Sequence, residues 1–163
     1  MKIPHAPKNK IYNLESIKSQ VDSWKANGNK IAFTNGVFDI LHTGHLMLLY
    51  KSCLLADVLI IGINSDASVK RLKGESRPIN NEASRLLMLS CLGMTDGVIL
   101  FEEDTPYELI KLILPDVLIK GGDYSQDTIV GAELVKASGG QVVVIEFEEG
   151  FSTTGTIAKI KNQ

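Results

Sequence analysis

Two histidines three positions apart, His42 and His45, are the residues best placed to do chemistry in a chain that has three histidines in all. They follow a short apolar run, 31–33, which predicts a strand, and they precede an apolar pattern with helical spacing. Imidazoles at positions i and i+3 share one face of a helix, and the free N–H groups of its first turn attract anions. The pattern therefore predicts a phosphate site whose imidazoles donate hydrogen bonds as charge redistributes over phosphate oxygens.

The turn before this helix contains two glycines that suit such a site. Gly36 allows the backbone to approach phosphate oxygens, and Gly44 removes a side chain between the two histidines. Asp39, in the same turn, can either orient the backbone or touch a ligand. The residues of the turn predicted to bind nucleotide or phosphate are Asn35, Gly36, Val37, Phe38 and Gly44. The charge of the imidazoles stays open, because a helix N-terminus lowers a histidine pKa from about 6.5 and bound polyphosphate raises it.

Composition excludes several classes of protein. The 163 residues include 17 basic and 19 acidic side chains, a balance that argues against a general binder of nucleic acid or of membrane surfaces. The two cysteines lie in apolar helical patterns and do not indicate a disulfide framework. No run approaches the roughly 20 apolar residues of a membrane span, and the first ten residues do not form a secretion signal. We expect a cytoplasmic protein.

Apolar strands and amphipathic helices alternate regularly along the chain. This alternation predicts an α/β fold with an open, parallel, five-stranded sheet and helices on both faces. The predicted strands are 30–34, 57–63, 97–101, 117–120 and 142–145. Residues 1–12 are predicted to be a flexible N-terminal arm, and residues 13–163 a single domain. Ligands of such sheets bind outside the carboxyl ends of the strands. Residues 36–45, which we call the histidine turn, lie at one of these ends.

Four basic residues follow the second predicted strand within eight positions, ending next to a proline. A cluster of this kind is ordinarily a solvated helix face. Its position beside a strand end favours phosphate binding here, with Lys73 and Arg77 the better candidates because a loop can fold over a ligand. Arg85, at the beginning of the next predicted helix, is a further candidate.

Several common nucleotide and hydrolase motifs are absent from the sequence. It contains no G-x-G-x-x-G dinucleotide motif and no G-x-x-x-x-G-K-[ST] P-loop. It also lacks a cysteine–histidine zinc pattern and the G-x-S-x-G elbow of serine hydrolases. No side chain stands out as a covalent nucleophile.

The run G-x-F-D-x-L-H-x-G-H at residues 36–45 resembles the motif of the nucleotidyltransferases with a Rossmann-like fold, which include cytidylyltransferases and phosphopantetheine adenylyltransferase. Further segments make the chain similar to the adenylyltransferase domain of bacterial ADP-heptose synthases; they are 64–74 with Arg77-Pro78, 101–106, 114–124 and 152–154. The likeness covers roughly residues 11–160. It implies transfer of AMP from ATP to D-glycero-β-D-manno-heptose 1-phosphate, giving ADP-heptose and pyrophosphate for lipopolysaccharide or other surface glycans.

The resemblance also implies roles for individual residues. His42, His45 and Lys73 would be catalytic, and Arg77 and Arg85 would bind phosphate. The loop after the fourth predicted strand, formed by Lys120, Gly121, Gly122 and Asp123, would lie against the nucleotide. Ser152, Thr153 and Thr154, which form an N-cap run, would hold the outer phosphates. The reaction would be a direct in-line attack on the α-phosphorus, with Mg²⁺ brought by ATP and no metal ligand from protein side chains.

Two alternatives remain at this stage. The first is a cytidylyltransferase acting on glycerol 3-phosphate or another small phosphate, since no residue distinguishes adenine from cytosine on physical grounds. The second is a non-catalytic nucleotide-binding module, which would be expected to lack a histidine or the Ser-Thr-Thr run. The related domain is often fused behind a sugar kinase. The chain resembles the stand-alone form, so we expect a separate kinase upstream and a homodimer, with neither nucleic acid nor membrane as a partner.

Overall fold

The computed structural model describes residues 6–122, 125–146 and 150–162. A six-stranded sheet with strand order β1-β4-β3-β2-β5-β6 forms its centre, and every neighbouring pair is parallel. The strands are β1 (Ile11–Tyr12), β2 (Ile31–Gly36), β3 (Val58–Asn64), β4 (Gly97–Phe101), β5 (Val117–Gly121) and β6 (Gln141–Ile145). The predicted α/β class, with a parallel sheet and helices around it, is confirmed.

Seven α-helices of the described residues surround the sheet. They are α1 (Leu14–Ala26), α2 (Thr43–Cys53), α3 (Asp66–Lys73), α4 (Glu82–Ser90), α5 (Tyr107–Ile113), α6 (Ala132–Ala137) and α7 (Thr153–Lys161). Side chains of α1, α5 and α6 join the core on one face of the sheet, and side chains of α2 and α4 join the core on the other. Strand β3 is buried along its whole length, as its continuous apolar run indicates. None of the helices in the described ranges combines the length and apolar character needed to cross a membrane.

The predicted number of strands, five, was wrong by one. The additional strand, β1, pairs with β4 through Ile11 and Tyr12, inside the segment predicted to be an arm. Two residues are too few to show the alternation that reveals a strand. A 3-10 turn, Pro7–Lys10, precedes β1, so the fold begins before the predicted boundary at residue 12. Residues 1–5 lie outside the described part of the chain.

The helix before β6 is short. Helix α6 begins at Ala132, after a 3-10 turn, Gln126–Thr128. Gly131 separates the two with a left-handed φ of 83°. A Cβ at Gly131 would lie 2.9 Å from the side chain of Ile110, so the residue permits both the turn and the close packing of α5.

The order in which the chain adds strands to the sheet reverses at β2, which lies between β3 and β5. The chain proceeds from β2 through β3 to β4 on one side, and β5 and β6 extend the sheet on the other. The carboxyl end of β2 is therefore the topological switch point, where sheets of this type bind their ligands. The histidine turn starts at this end.

Candidate active site

The turn between β2 and α2 is built around Phe38. Its φ of 49° lies in the left-handed region, and its side chain is only 3% exposed. A Cβ at Gly36 would lie 3.0 Å from the Phe38 ring, so the glycine allows the ring to fold back over the strand end. The centroid of that ring lies 5.1 Å from the centroid of the His45 ring. Phe38 was predicted to bind nucleotide or phosphate. Its side chain packs in the core and contacts the His45 ring.

His42 and His45 form a stacked pair at the N-terminus of α2. Their ring centroids lie 3.8 Å apart, and the ring planes are inclined by 23°. Burial lowers the pKa of His42. Burial and the neighbouring His42 lower the pKa of His45 to about 4, against a hydrogen bond with the backbone of Ile40. Both Nδ1 atoms are buried and have no hydrogen-bond partner among the described residues. Buried polar atoms are nearly always satisfied, so these two unpaired atoms distinguish the pair from an ordinary core contact.

The N-terminus of α7 faces this pair across a cavity of about 230 Å³, the helix-end cavity. Its lining consists of His42, Gly44, His45, Leu48, Phe151, Ser152 and Thr153. Ser152 caps α7, because its Oγ accepts a hydrogen bond of 3.0 Å from the N–H of Gly155. Two helix N-termini thus open into one cavity, which is an arrangement that attracts anions. Thr154, predicted with Ser152 and Thr153, is exposed and does not line the cavity.

Two glycines permit the close approaches in this cavity. A Cβ at Gly44 would lie 3.1 Å from two atoms of the His42 ring and 3.4 Å from Cβ of Phe151. A Cβ at Gly155 would lie 2.9 Å from the capping Oγ of Ser152. Glycine weakens a helix relative to alanine, and these contacts explain its presence in the first turn of both helices.

Asp39 fixes the loop that precedes α4. It is 1% exposed, and its carboxylate accepts hydrogen bonds from the N–H groups of Ile79 and Asn80 and from Nε of Arg77. The Arg77–Asp39 contact is 2.7 Å long. Burial alone would raise the pKa of Asp39, but the hydrogen bonds from Asn80, Ile79 and Arg77 outweigh it and lower that pKa. Asp39 therefore orients the turn and the loop, and Arg77 is held beside it rather than projecting freely into solvent.

Arg85 is the largest fully buried side chain of the described residues. Its Nη1 donates to the carbonyl of Val37 at 2.8 Å, its Nη2 to Oδ1 of Asp66 at 2.8 Å, and its Nε to the carbonyl of Asn80 at 3.0 Å. The predicted contact of Arg85 with phosphate stays a prediction, while the guanidinium makes its hydrogen bonds inside the protein. It joins the histidine turn to α3 and to the loop before α4.

The basic residues at the end of α3, Arg71 and Lys73, differ in their contacts. Lys73 is exposed and lines neither the helix-end cavity nor the larger cavity at the strand ends, so its catalytic role stays a prediction. Arg71 binds the loop after β4, with Nε 2.8 Å from Oδ1 of Asp104 and Nη2 2.6 Å from the carbonyl of Glu102. Sequence reasoning missed this contact because Arg71 and Asp104 lie 33 positions apart.

A second cavity of about 310 Å³, the strand-end cavity, opens at the carboxyl ends of β2, β3 and β5. Its lining residues are Asn35, Gly36, Val37, Asn64, Leu72, Asp104, Thr105, Pro106, Leu118, Ile119, Lys120, Thr128, Ile129 and Val130. Nζ of Lys120 lies 3.4 Å from Oδ1 of Asn35, and burial lowers the pKa of this lysine. Three predicted binding residues, Asn35, Val37 and Lys120, are thus brought together with Gly36.

The glycines after Lys120 lie outside this cavity. Gly121 ends β5 and is half-buried. Gly122 is buried, and its N–H donates to the carbonyl of Ile145 at 2.9 Å with a φ of 121°. Its place in the fold is explained by this bond to β6 and by its backbone conformation. Asp123 lies outside the described residues.

Comparison with known proteins agrees with the geometry. A family model described as cytidylyltransferase-like matches residues 33–158, which include the histidine turn, the strand-end cavity and Ser152. The chain belongs to the cytidylyltransferase-like family. It is a nucleotidyltransferase, as the motif at residues 36–45 predicted.

Individual curated proteins and solved structures are also similar to this nucleotidyltransferase. The bifunctional protein HldE of Mesorhizobium japonicum is 49% identical over 158 residues, covering 97% of this chain and 32% of the relative. The chain therefore spans about a third of the length of the curated relatives it matches. The lipopolysaccharide core biosynthesis protein of Thermoplasma volcanium is 32% identical with a TM-score of 0.59, over 74% of this chain and 98% of that one.

A more distant structure shares the fold of this nucleotidyltransferase. Pantoate-beta-alanine ligase from Francisella tularensis, solved with beta-gamma ATP and beta-alanine, has a TM-score of 0.62 at 17% identity. The match covers 94% of this chain and 79% of the ligase. At this identity the likeness describes the arrangement of strands and helices alone.

Proposed function

We propose that this nucleotidyltransferase transfers AMP from ATP to D-glycero-β-D-manno-heptose 1-phosphate, giving ADP-heptose and pyrophosphate. The observation that carries the proposal is the helix-end cavity, where His42, His45, Ser152 and Thr153 meet at two helix N-termini. The identity with HldE and with a lipopolysaccharide core biosynthesis protein supports a heptose phosphate as the acceptor.

The helix-end cavity suits the triphosphate of ATP. Its free helix N–H groups and the hydroxyls of Ser152 and Thr153 would bind the outer phosphates. The two imidazoles, whose pKa values are lowered by burial, would donate hydrogen bonds to oxygens at the bond that breaks. Neutral donors that are already in place need no reorganisation when the charge on pyrophosphate develops.

The chemical step is a single displacement at phosphorus. An oxygen of the sugar phosphate attacks the α-phosphorus of ATP, and the bond from that phosphorus to the bridging oxygen of the β-phosphate breaks. The electron pair of the broken bond leaves with pyrophosphate, so no covalent enzyme intermediate is needed. Positioning and charge stabilisation would supply the catalysis.

Magnesium would arrive with ATP. The described ranges contain no group of three or more His, Cys, Asp or Glu side chains that could hold a metal ion. We expect an ion that is held chiefly by phosphate oxygens and water, as Mg²⁺ on nucleotides commonly is. Mg²⁺ would neutralise part of the charge on the phosphates.

The remaining expectations concern the setting of the reaction. We expect a sugar kinase to act before this enzyme, since the domain that the chain resembles is often fused behind one. The product would supply heptose for lipopolysaccharide or other surface glycans. A homodimer and a cytoplasmic location also stay predictions.

A substrate panel tests the proposed function. The protein is incubated with ATP or CTP, Mg²⁺, and either heptose 1-phosphate or glycerol 3-phosphate, and pyrophosphate release is measured. We expect release with ATP and heptose 1-phosphate. Release only with CTP would identify a cytidylyltransferase, and the absence of release from every pair would favour a non-catalytic nucleotide-binding module.

A further inference from the structure

We propose that the strand-end cavity is the acceptor site, in which Lys120 binds the phosphate of the sugar phosphate and Asp104 accepts a hydrogen bond from a sugar hydroxyl. This inference rests on the proposed function. The resemblance placed Lys120 against the nucleotide. We assign it to the second substrate instead.

The first argument is the position of the two cavities. The strand-end cavity reaches the histidine turn at Gly36 and Val37, and the helix-end cavity reaches it at His42 and Gly44. An in-line displacement needs the attacking oxygen and the leaving pyrophosphate on opposite sides of the α-phosphorus. If pyrophosphate occupies the helix-end cavity, the acceptor must arrive from elsewhere along the turn, and the strand-end cavity opens there.

The second argument is the chemistry of the lining. Of the described residues that line the strand-end cavity, Lys120 is the single cation, and no lining residue is aromatic. Side chains that can form hydrogen bonds line the same cavity, namely those of Asn35, Asn64, Asp104, Thr105 and Thr128. A cation beside amides, hydroxyls and a carboxylate is suited to a phosphate that carries a polyhydroxylated sugar. The volume of about 310 Å³ is at the small end of ligand cavities, as expected for a monosaccharide phosphate.

The third argument is the ion pair that fixes Asp104. Nε and Nη2 of Arg71 approach Oδ1 of Asp104 at 2.8 and 2.7 Å. Both contacts use the same carboxylate oxygen, so the other oxygen can accept a hydrogen bond from a ligand. Nη2 of Arg71 also binds the carbonyl of Glu102, which holds the guanidinium in place. Asp104 is thereby kept at the cavity wall, in an orientation set before the sugar arrives.

Burial gives Lys120 a further reason to bind a dianion. Burial lowers the pKa of its ammonium group, because removal from water disfavours the charged form. A phosphate brought next to the amine would favour that form again. The acceptor phosphate would therefore be held by a charge-assisted hydrogen bond inside a partly dehydrated cavity.

The test is a two-substrate kinetic comparison of wild type, Lys120→Met, Lys120→Arg and Asp104→Asn. We expect Lys120→Met to raise the KM of the acceptor by roughly tenfold or more, the scale of one charge-assisted hydrogen bond, with the KM of ATP changed less than twofold. Lys120→Arg keeps the charge and should recover part of that loss. Asp104→Asn should raise the KM for the sugar phosphate and leave the KM for a shorter phosphate acceptor unchanged.

Lys111→Met is the matched control, since Lys111 is an exposed lysine on α5 that pairs with Glu108. A higher KM for ATP with an unchanged KM for the acceptor in Lys120→Met would overturn the inference, and so would unchanged values for both substrates. The comparison uses whichever phosphate acceptor the wild type turns over. Use of a different acceptor would contradict the proposed function, while the Lys120 variants would still decide the location of the acceptor site. Calorimetry with the sugar phosphate alone gives the same comparison without turnover.

Discussion

The imidazole rings of His42 and His45 stack with their centroids 3.8 Å apart. Two positive rings at this distance would repel each other, and burial together with the proximity of His42 lowers the pKa of His45 to about 4. Near neutral pH, the ligand-free pair is therefore uncharged. It can act on a polyphosphate as a pair of hydrogen-bond donors, without the strong attraction for every anion that two fixed charges would produce.

This state of the histidines predicts how stability depends on pH. The pKa of His45 is about 4 in the folded protein, against about 6.5 for an unfolded histidine. As pH falls below 6.5, the unfolded chain takes up a proton that the folded chain does not, and stability is lost until pH reaches about 4. The free energy of unfolding should fall by up to roughly 1 kcal/mol per pH unit in this window.

Urea unfolding of wild type and His45→Gln measures the effect. The free energy of unfolding is determined at about one-unit steps, at pH 7.5, 6.5, 5.5 and 4.5. The slope should be smaller in the variant. Asp39 acts in a lower range, because its lowered pKa removes stability only as pH falls below its ordinary value of 3.8. Equal slopes in wild type and His45→Gln would contradict the assigned cause.

Removal of the His45 imidazole should reduce turnover. His45→Ala is expected to lower kcat about 100-fold or more at saturating ATP, which is the scale for one preorganised donor. Tyr50→Ala is the matched control, because Tyr50 is a half-exposed aromatic residue on the same helix outside the cavity lining. Full turnover by His45→Ala would show that this histidine is not catalytic.

Gly44→Ala should separate activity from stability. The new methyl group would lie 3.1 Å from the His42 ring and push that imidazole from its position, so kcat should fall by roughly tenfold or more, which corresponds to about 1.4 kcal/mol. Alanine favours helix over glycine, so the melting temperature should not fall greatly. Gly93→Ala is the control, because a Cβ there meets no atom within 4 Å. Comparable kcat values for both variants would refute the steric role of Gly44.

Replacement of Arg85 should cost stability. Arg85→Met leaves Asp66 and the carbonyls of Val37 and Asn80 without their donor, with an expected loss of about 2–4 kcal/mol in the free energy of unfolding. Arg71→Met removes a half-exposed ion pair and should cost less than about 1 kcal/mol. Chemical denaturation of the two variants makes the comparison. A loss below 1 kcal/mol for Arg85→Met would mean that water or another donor replaces the guanidinium.

Local patterns made much of this molecule predictable. The apolar run of β3 indicated a strand buried on both faces, and the spacing of His42 and His45 placed them at a helix start. The Ser152 cap was visible in the same way, because capping depends on residues a few positions apart. Such features depend on residues that lie only a few positions apart in the sequence.

Other features depend on contacts between distant segments. Asp39 and Arg77 are 38 positions apart, and Arg85 donates to Val37 across 48 positions. The sequence shows that Arg85 is positive but does not show that its side chain is buried. The spacing of Arg85 and Leu89 on the inward face of α4 was the available signal, since both are fully buried. An arginine on an otherwise apolar helix face indicates a buried partner as readily as a phosphate.

The guanidinium of Arg85 also determines how the site can move. It holds Val37 of the histidine turn and the carbonyl of Asn80 in the loop before α4 at the same time, while Asp39 accepts a hydrogen bond from the N–H of Asn80. The turn and the loop are therefore one mechanical unit. We therefore expect a ligand that displaces the loop to displace the histidine turn with it.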